Sequence, residues 1–339
     1  MLGDNAALNV ADEEILYQLS ENMWHPVALL TEVTSQPLPI TLLGKTLVAV
    51  RLGDEISVFD DLCIHRGTAL SLGKVIGNNL QCAYHGWRFN SDGICTLIPS
   101  RPTGSIPNKA KIKKYLSQGK DGLLWVCISG APIFDIPNFT QINDPSYRTV
   151  VVPTYDWNSS AARRIENFID FSHFAFVHEG ILGDPEKAEI PEYEVFQNSN
   201  TLVFELGVEE PANILKGDRD LSAKLQRLPS TYTITMPYSV LLDQPLDGGK
   251  NHFVLFMASS PISQKKTRTF CFCARNYDLD SDKDQEFIEF QNIILEQDRV
   301  VVESQRPEEL PIDLSEELHI KGVDRVSVEY RKWLKALVS

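Results

Sequence analysis

Cys63-Ile64-His65-Arg66-Gly67 and Cys82-Ala83-Tyr84-His85-Gly86-Trp87 decide how this 339-residue sequence is read. Sixteen residues separate His65 from Cys82, so two thiolates and two imidazoles come from one short stretch. A tetrahedral zinc site takes ligands of this kind. The second pair is Cys-x-x-His, however, and each half is followed almost at once by Gly. That matches the ligand set in which two Cys hold one iron of a [2Fe–2S] cluster and two His hold the other. Such a cluster moves one electron and oxidises nothing by itself, so the remaining chain has to supply a use for it.

Length suits two domains, one of them large. An apolar content of 43% is ordinary and permits a sizeable core. A net charge of −14 argues against nucleic acid or an anionic membrane as the main partner. No apolar run approaches eighteen residues, so no bilayer span is expected. The start Met1-Leu2-Gly3-Asp4-Asn5 lacks the basic and apolar parts of a signal peptide. With two of six Cys already in ligand spacing, the reading is a cytoplasmic protein with reduced thiols.

Outward from the ligand stretch the pattern is β-rich. His25–Leu30, Leu47–Val50, Ile56–Phe59 and Leu123–Cys127 read as strands. Asn90-Ser91-Asp92-Gly93 predicts a hairpin joining Trp87–Phe89 to Ile94–Thr96. After a lead-in at 1–19, residues 20–135 are therefore expected to form a small antiparallel β domain with the Cys/His loops at its tip. Residues 136–339 form a second domain. A Pro-containing connection from Pro132 to Pro153 leads to an aromatic helix over about 160–179. Strands follow at 202–208, 231–236, 252–258 and 268–275. A long helix at about 285–305 and an amphipathic one at 323–337 complete an α+β domain on an antiparallel sheet.

The 160–179 helix carries a second constellation. Glu166, Asp170 and His173 share one face of an ideal helix. His178 lies about 140° further round than His173. The two rings converge only if the helix widens, bends or ends between them, and a π-type irregularity is the expected device. The competing reading is two ordinary histidines, one exposed and one in a polar core contact. In the 285–305 helix, Phe287, Phe290, Ile294, Val301 and Val302 predict a buried stripe. Asp298 falls inside it, while Glu296 points about 160° away, to solvent. A buried carboxylate needs a cation, a strong donor or a metal. Two His and one Asp make the facial triad of non-haem Fe(II); Arg163, Arg164 or an indole are the alternative partners.

Together these residues resemble the oxygenase (α) subunit of a Rieske non-haem iron oxygenase, over nearly the whole chain. Cys63-x-His65-x16-Cys82-x2-His85 matches the family's cluster motif, and Asn167-x2-Asp170-x2-His173-x4-His178 with Asp298 matches its mononuclear-iron motif. Thr68 and Tyr84 stand where respiratory Rieske proteins carry a disulfide, so the oxygenase type is implied. The resemblance implies a Rieske domain followed by a helix-grip (START-like) catalytic domain, with O2 as co-substrate. Electrons come from NAD(P)H only through a separate ferredoxin or flavin reductase. It also implies a head-to-tail homotrimer in which Asp170 bridges His173 to the neighbouring subunit's cluster histidine, here His85, with Asn167 either ordering the same network or lying near the open iron position.

Length places the chain nearer the α3 monooxygenase and demethylase branch, which hydroxylates or O- or N-demethylates small molecules. A cis-dihydroxylating dioxygenase and a Rieske electron-transfer protein are the alternatives. Expected pocket walls are Phe168, Phe174, Ile181, Leu182, Met236, Leu242, Phe256 and Cys273, with Asn251, Arg275 and Asn276 as polar anchors. Cys95, Cys127, Cys271 and Cys273 read as buried small hydrophobes, His25 and His252 as satisfied core residues, and His319 as exposed. No Gly-x-Gly-x-x-Gly opens a helix after a strand, so no nucleotide site is expected.

Overall fold

The computed structural model describes residues 11–207, 209–211, 225–227 and 229–339. The expected lead-in contains helix α1 (Asp12–Leu19); residues 1–10 lie outside the described part. Ten strands follow: β1 (His25–Leu29), β2 (Leu38–Leu42), β3 (Lys45–Leu52), β4 (Glu55–Asp60), β5 (Lys74–Ile76), β6 (Asn79–Gln81), β7 (Arg88–Phe89), β8 (Cys95–Leu97), β9 (Lys114–Lys120) and β10 (Leu123–Cys127). They form an antiparallel six-stranded sheet, β1-β10-β9-β4-β3-β2, and a four-stranded one, β5-β6-β7-β8.

Strand β3 explains how the two sheets support each other. Leu47, Val48, Ala49 and Val50 are all buried, which a one-faced strand would not allow. Leu47 and Ala49 enter the core of the six-stranded sheet, whereas Val48 and Val50 enter a second core that holds Cys63 and Cys82. The ligand loops thus rest on a strand packed from both sides. The Asn90 turn forms as its sequence predicts, its side-chain oxygen accepting from the Asp92 and Ile94 amides. Pairing slips by one residue, Arg88 facing Leu97 and Phe89 facing Cys95.

The second half is built on a seven-stranded antiparallel sheet. Its strands are β11 (Arg148–Trp157), β12 (Val195–Gln197), β13 (Thr201–Leu206), β16 (Ser230–Thr235), β17 (Ser239–Leu246), β18 (Asn251–Ser263) and β19 (Lys266–Arg275), with β14 (Glu209–Pro211) and β15 (Leu225–Arg227) paired apart. Besides the three-residue strands β5, β6, β12, β14 and β15, the sequence reading missed three longer ones, β2, β9 and β17, and its 132–153 connection already contains the start of β11. These longer segments carry Pro39, Gly119, Pro153 and Pro245, which break the simple strand pattern.

Helices α2 (Ala161–Ile169), α3 (Phe174–Val177), α4 (Asp284–Val302) and α5 (Arg325–Val338) complete the fold. Strand β18 alternates between two cores. Val254, Phe256 and Ala258 pack with Leu123, Trp125 and Phe139, while Phe253, Leu255 and Met257 face the side where α4 lies. The start of α4 is pinned by Asp284, whose carboxylate accepts from Arg148 Nε at 3.0 Å and Arg275 Nη2 at 2.8 Å. Arg275 also sits 4.2 Å from the Phe287 ring centroid. It is a structural clamp, not the pocket anchor the sequence suggests.

Candidate metal centres

The two Cys/His loops share one backbone pattern. Cys63 N–H donates to Thr68 O at 2.8 Å and Gly67 N–H to Cys63 O at 2.9 Å. Cys82 N–H donates to Trp87 O at 2.9 Å and Gly86 N–H to Cys82 O at 3.1 Å. Both glycines adopt a φ of 70°, which side-chain-bearing residues rarely take. The loops therefore present one thiol and one imidazole each in matched geometry. The His65 and His85 rings lie 4.6 Å apart, and His65 stacks on Trp87 at 4.5 Å.

Cys63 and Cys82 are each 2% exposed, and burial pushes the Cys63 thiol up to about 11. Two neighbouring buried thiols, with His65 Nδ1 buried and without a partner, lack the cation that would stabilise their ligating forms. A [2Fe–2S] cluster held by sulfur on one side and nitrogen on the other fits that donor set. All six cysteines are free, and the Tyr84 ring lies 3.8 Å from that of His85, tilted by 38°.

The second constellation forms differently from the helical-face argument. Helix α2 starts at Ser160, whose Oγ accepts from Arg163 N–H at 3.2 Å, and ends at Asp170, whose ψ of 122° is extended. The break falls before His173, not between the histidines, and no π turn is present there. Asp170 and His173 are therefore not on one face of a continuous helix with Glu166. Asp170 Oδ1 instead accepts from Ser172 N–H at 2.8 Å, turning the chain. His173 precedes a single turn, α3, and His178 follows it. A short turn in place of a long helix brings the rings to 5.0 Å.

Asp298 is buried on α4, and its Oδ1 lies 3.2 Å from His173 Nε2 and 3.1 Å from His178 Nε2. These three ligand atoms lie within 4.8 Å of one another. Asn167 Nδ2 donates to the same oxygen at 3.2 Å, and its own oxygen accepts from Arg164 Nη1 at 2.8 Å. By hydrogen bonds Arg164 thus reaches Asp298 through Asn167, while its charge also acts on the carboxylate directly. The stripe on α4 differs from the expected one: Val301 is exposed and Ile294 half-buried, while Gln291 and Leu295 are buried beside Phe287, Phe290 and Val302. Glu296 faces solvent and pairs with Arg299.

The electrostatics fit a cation among these three groups. His178 Nδ1 lies 2.8 Å from Gln297 Oε1, which accepts its proton and leaves Nε2 with a lone pair. That lone pair is buried, unpartnered and aimed at a carboxylate oxygen. Desolvation opposes charge on His173, yet Asp170 and Asp298 together push it up to about 9. Burial likewise opposes charge on Asp298, but the His173 imidazole and the charge of the nearby Arg164 hold its carboxyl well below the usual range. Only a proton or metal ion relieves the contact of two imidazole nitrogens with one carboxylate oxygen. Asp170 Oδ2 stands 3.7 Å from His173 Nδ1, too far for a hydrogen bond.

Beside the triad opens a mainly apolar cavity of about 840 Å³, its mouth included. Phe168, Phe174, Leu182 and Leu242 line it as expected, but Ile181, Met236, Phe256 and Cys273 do not. Strand alternation is the reason for Phe256, which belongs to the opposite face of β18; Phe253, Leu255 and Met257 take its place. Asn251 and Asn276 also lie elsewhere. Polar groups come from Ser230, Tyr232, Gln244 and Gln291, none of which the sequence reading singled out. Gln291 was legible in principle: it stands seven residues before Asp298, on the same helical face.

Of the remaining histidines, His25 is buried with Nε2 2.8 Å from Ser20 O. His252 is only part-buried and pairs with Asp243 at 2.7 Å. His319 is half-buried, not exposed, because it borders a polar cavity shared with Asp170 and Asp298. None of these three joins either constellation.

Residues 23–115 match the Rieske [2Fe-2S] domain family, and residues 157–339 match the vanillate O-demethylase oxygenase C-terminal domain family. The methylxanthine N1-demethylase NdmA of Pseudomonas putida is 37% identical over 93% of this chain and 88% of its own length. The methylxanthine N3-demethylase NdmB of the same species is also 37% identical, over 93% of this chain and 89% of its own. The solved structure of Pseudomonas putida NdmA with caffeine superposes with a TM-score of 0.84 at 36% identity, covering 96% of this chain and 92% of that one. No helix among the described residues is long and apolar enough to cross a membrane. Matched loops carrying buried thiols, a cation-deficient His–His–Asp group and relatives aligned over almost their full length lead to one assignment: the chain belongs to the Rieske non-haem iron oxygenases, the terminal oxygenases that use O2 and electrons from a separate reductase to oxidise small organic molecules.

Proposed function

We propose that this oxygenase removes an N-methyl group from a flat, bicyclic nitrogen heterocycle of the methylxanthine class. The observation carrying this reading is Gln291. Its side chain is buried at the cavity wall and makes no hydrogen bond among the described residues. It stands two helical turns from Asp298, about 10 Å along α4. An amide that both donates and accepts, at the wall of a mainly apolar cavity that also holds the triad, suits a ring bearing carbonyl and ring-nitrogen groups with its methyl directed at the triad. Phe168, Tyr232 and Phe253 supply ring faces for the heterocycle. The names of the NdmA and NdmB relatives support the same class.

In this reading Cys63, Cys82, His65 and His85 hold the [2Fe–2S] cluster, and His173, His178 and Asp298 hold the mononuclear iron. When bound, the two centres supply electron delivery and O2 activation. The chain's own residues do the rest. Gln297 fixes the His178 tautomer through Nδ1. Asn167 holds Asp298 and is itself held by Arg164. The apolar walls keep bulk water from the reacting carbon. Overall, the N-methyl compound, O2, two electrons and two protons give an N-hydroxymethyl compound and water. The N-hydroxymethyl compound then releases formaldehyde and the N–H product.

The division into a lead-in at 1–19, a cluster domain at 20–135 and a catalytic domain at 136–339 belongs to this proposal, supported by the extents of the two family matches. So does a head-to-tail homotrimer in which Asp170 bridges His173 to His85 of the next subunit. Its support is two exposed apolar patches. Leu62, Ile64 and Tyr84 surround the cluster loops, and Phe176, Val301 and Leu318 lie near the triad. Free buried cysteines support a reducing, cytoplasmic setting.

The test is a panel of N-methylated purines, N-methyl pyridines and O-methyl aromatics, with an added reductase, following formaldehyde release coupled to O2 uptake. Methylxanthines should be turned over, and Gln291→Leu should raise their KM about tenfold, the worth of one hydrogen bond to a buried group. Turnover confined to O-methyl aromatics, or a KM unmoved by Gln291→Leu, refutes the assignment.

A further inference from the structure

The charge of this chain is divided unevenly. Between residues 61 and 120 nine Lys or Arg stand against two Asp, a local excess of positive charge inside a protein of net charge −14. The segment contains all four cluster-binding side chains. Elsewhere most cations are spent internally: Arg148 and Arg275 on Asp284, Arg163 and Arg331 on Glu317, Arg299 on Glu296 and Glu303, Arg325 on Glu194. Around the cluster most are not, Lys114 on Glu55 being the exception. Arg66, Lys74, Arg101, Lys109, Lys111 and Lys113 are all exposed, and among the described residues none of them makes an ion pair.

Three of these form an ordered face. In Lys109-Ala110-Lys111-Ile112-Lys113 every second residue is buried, Ala110 and Ile112 at 5% each. Both enter the core that contains Cys63 and Cys82. Backbone bonds from Cys95 N–H to Ala110 O and from Ile112 N–H to Gly93 O, both 2.9 Å, lock this register. The inner side of the segment therefore packs under the cluster loops, and period-two alternation turns the three lysines outward. Arg66 sits in the first ligand loop, beside the exposed Leu62 and Ile64 that the trimer reading gives to the neighbouring subunit, and so stands apart from the lysine face. Arg101 lies in the loop whose Pro99 approaches Gly86 of the second.

We propose that this basic face is the docking surface for an acidic electron-donor protein, of the plant-type [2Fe–2S] ferredoxin kind. The inference rests on the oxygenase assignment, because only a protein whose cluster must be reduced by a separate partner needs such a surface there. The overall charge of −14 repels an acidic donor, so an unpaired basic patch is what guides it to the cluster instead of the acidic remainder. One electron leaves the donor and one enters the cluster, with no bond made or broken. A long polyanion would also meet the acidic surface beyond a Debye length and gain less from the same patch.

The experiment follows anaerobic reduction of the cluster by its absorbance in a stopped-flow instrument, with the intact oxygenase and a pre-reduced, acidic plant-type ferredoxin. With wild type, the second-order rate constant should fall as salt rises from 50 to 500 mM. Lys109→Glu/Lys111→Glu/Lys113→Glu should slow it about tenfold or more at low salt, with the two proteins converging at high salt. Lys250→Glu/Lys321→Glu, exposed outside the segment, should leave the rate unchanged. Photoreduced deazaflavin, small and uncharged, should reduce all three alike. Ferredoxin rates equal in wild type and the triple variant overturn the proposal. So does equal slowing in the Lys250/Lys321 control or with deazaflavin. Tight binding of duplex DNA that the triple substitution abolishes, with ferredoxin reduction untouched, also overturns it. A protein that deazaflavin cannot reduce at all would instead strike at the oxygenase assignment.

Discussion

Glu166→Ala should destabilise the catalytic half by about 3 kcal/mol. Glu166 lies in α2, one residue before Asn167, and its carboxylate accepts from Arg331 Nε at 2.7 Å and Nη2 at 2.9 Å, with Arg163 Nη1 at 3.4 Å. Both arginine side chains are 2% exposed and Glu166 is 12% exposed, so water cannot replace the lost partner. Breaking a buried pair from one side costs about 3–5 kcal/mol, since an unpaired charge is left behind. Glu317 remains against both arginines but is 31% exposed, which places the expectation at the lower end. At about 2.1 cal/mol/K per residue over roughly 180 residues, this corresponds to a fall in Tm of about 8 °C. The assay is urea unfolding of the iron-loaded protein by far-ultraviolet circular dichroism, with cluster absorbance recorded in parallel. Glu166→Gln keeps an acceptor but not the charge and should fall between wild type and Glu166→Ala. A loss under about 1 kcal/mol for Glu166→Ala would refute the view that this buried network ties α5 to the helix leading towards His173 and His178.

Further expectations concern the metals and pH. Asp298→Ala should lose the mononuclear iron while keeping the cluster spectrum; metal analysis showing iron still at three per chain would contradict the ligand assignment. Asp170→Asn should keep both centres yet slow single-turnover electron delivery, and undiminished transfer would argue against the bridge. Burial lowers His25 from about 6.5 to about 4, so the folded protein holds it neutral. Stability is then full above pH 6.5 and falls as pH drops towards 4, by about 3 kcal/mol. His25→Gln keeps the donor to Ser20 without titrating, and its urea stability should decline less over that window; parallel curves would reject this origin.

The local pattern of the sequence was enough for several features. The ligand spacing in each Cys/His loop, the Asn90 hairpin and the buried position of Asp298 all depend on residues a few places apart, so short-range periodicity carries them. The helix was where that reasoning ended too early. A run as apolar as Phe168–Val177 reads as continuous helix, yet the Asp170 carboxylate bonds the Ser172 amide and stops it. Competition between a side-chain and a backbone acceptor is settled by neighbours such as α4, which local pattern does not contain.

The sequence by itself determined which side chains could bind metal and in what order they occur, because ligand chemistry and spacing are local. Only the tertiary structure decided what they face. The two-sided burial of β3 placed the cluster loops on a packed base. The alternation of β18 exchanged Phe256 for Leu255 in the cavity wall. The turn of α4 brought Gln291 and Asp298 to one cavity, and the register of 109–113 put three lysines outside the core beneath Cys63 and Cys82. Each of these depends on which of two faces a strand or helix turns towards a distant partner, and that choice is made by the packing of the whole.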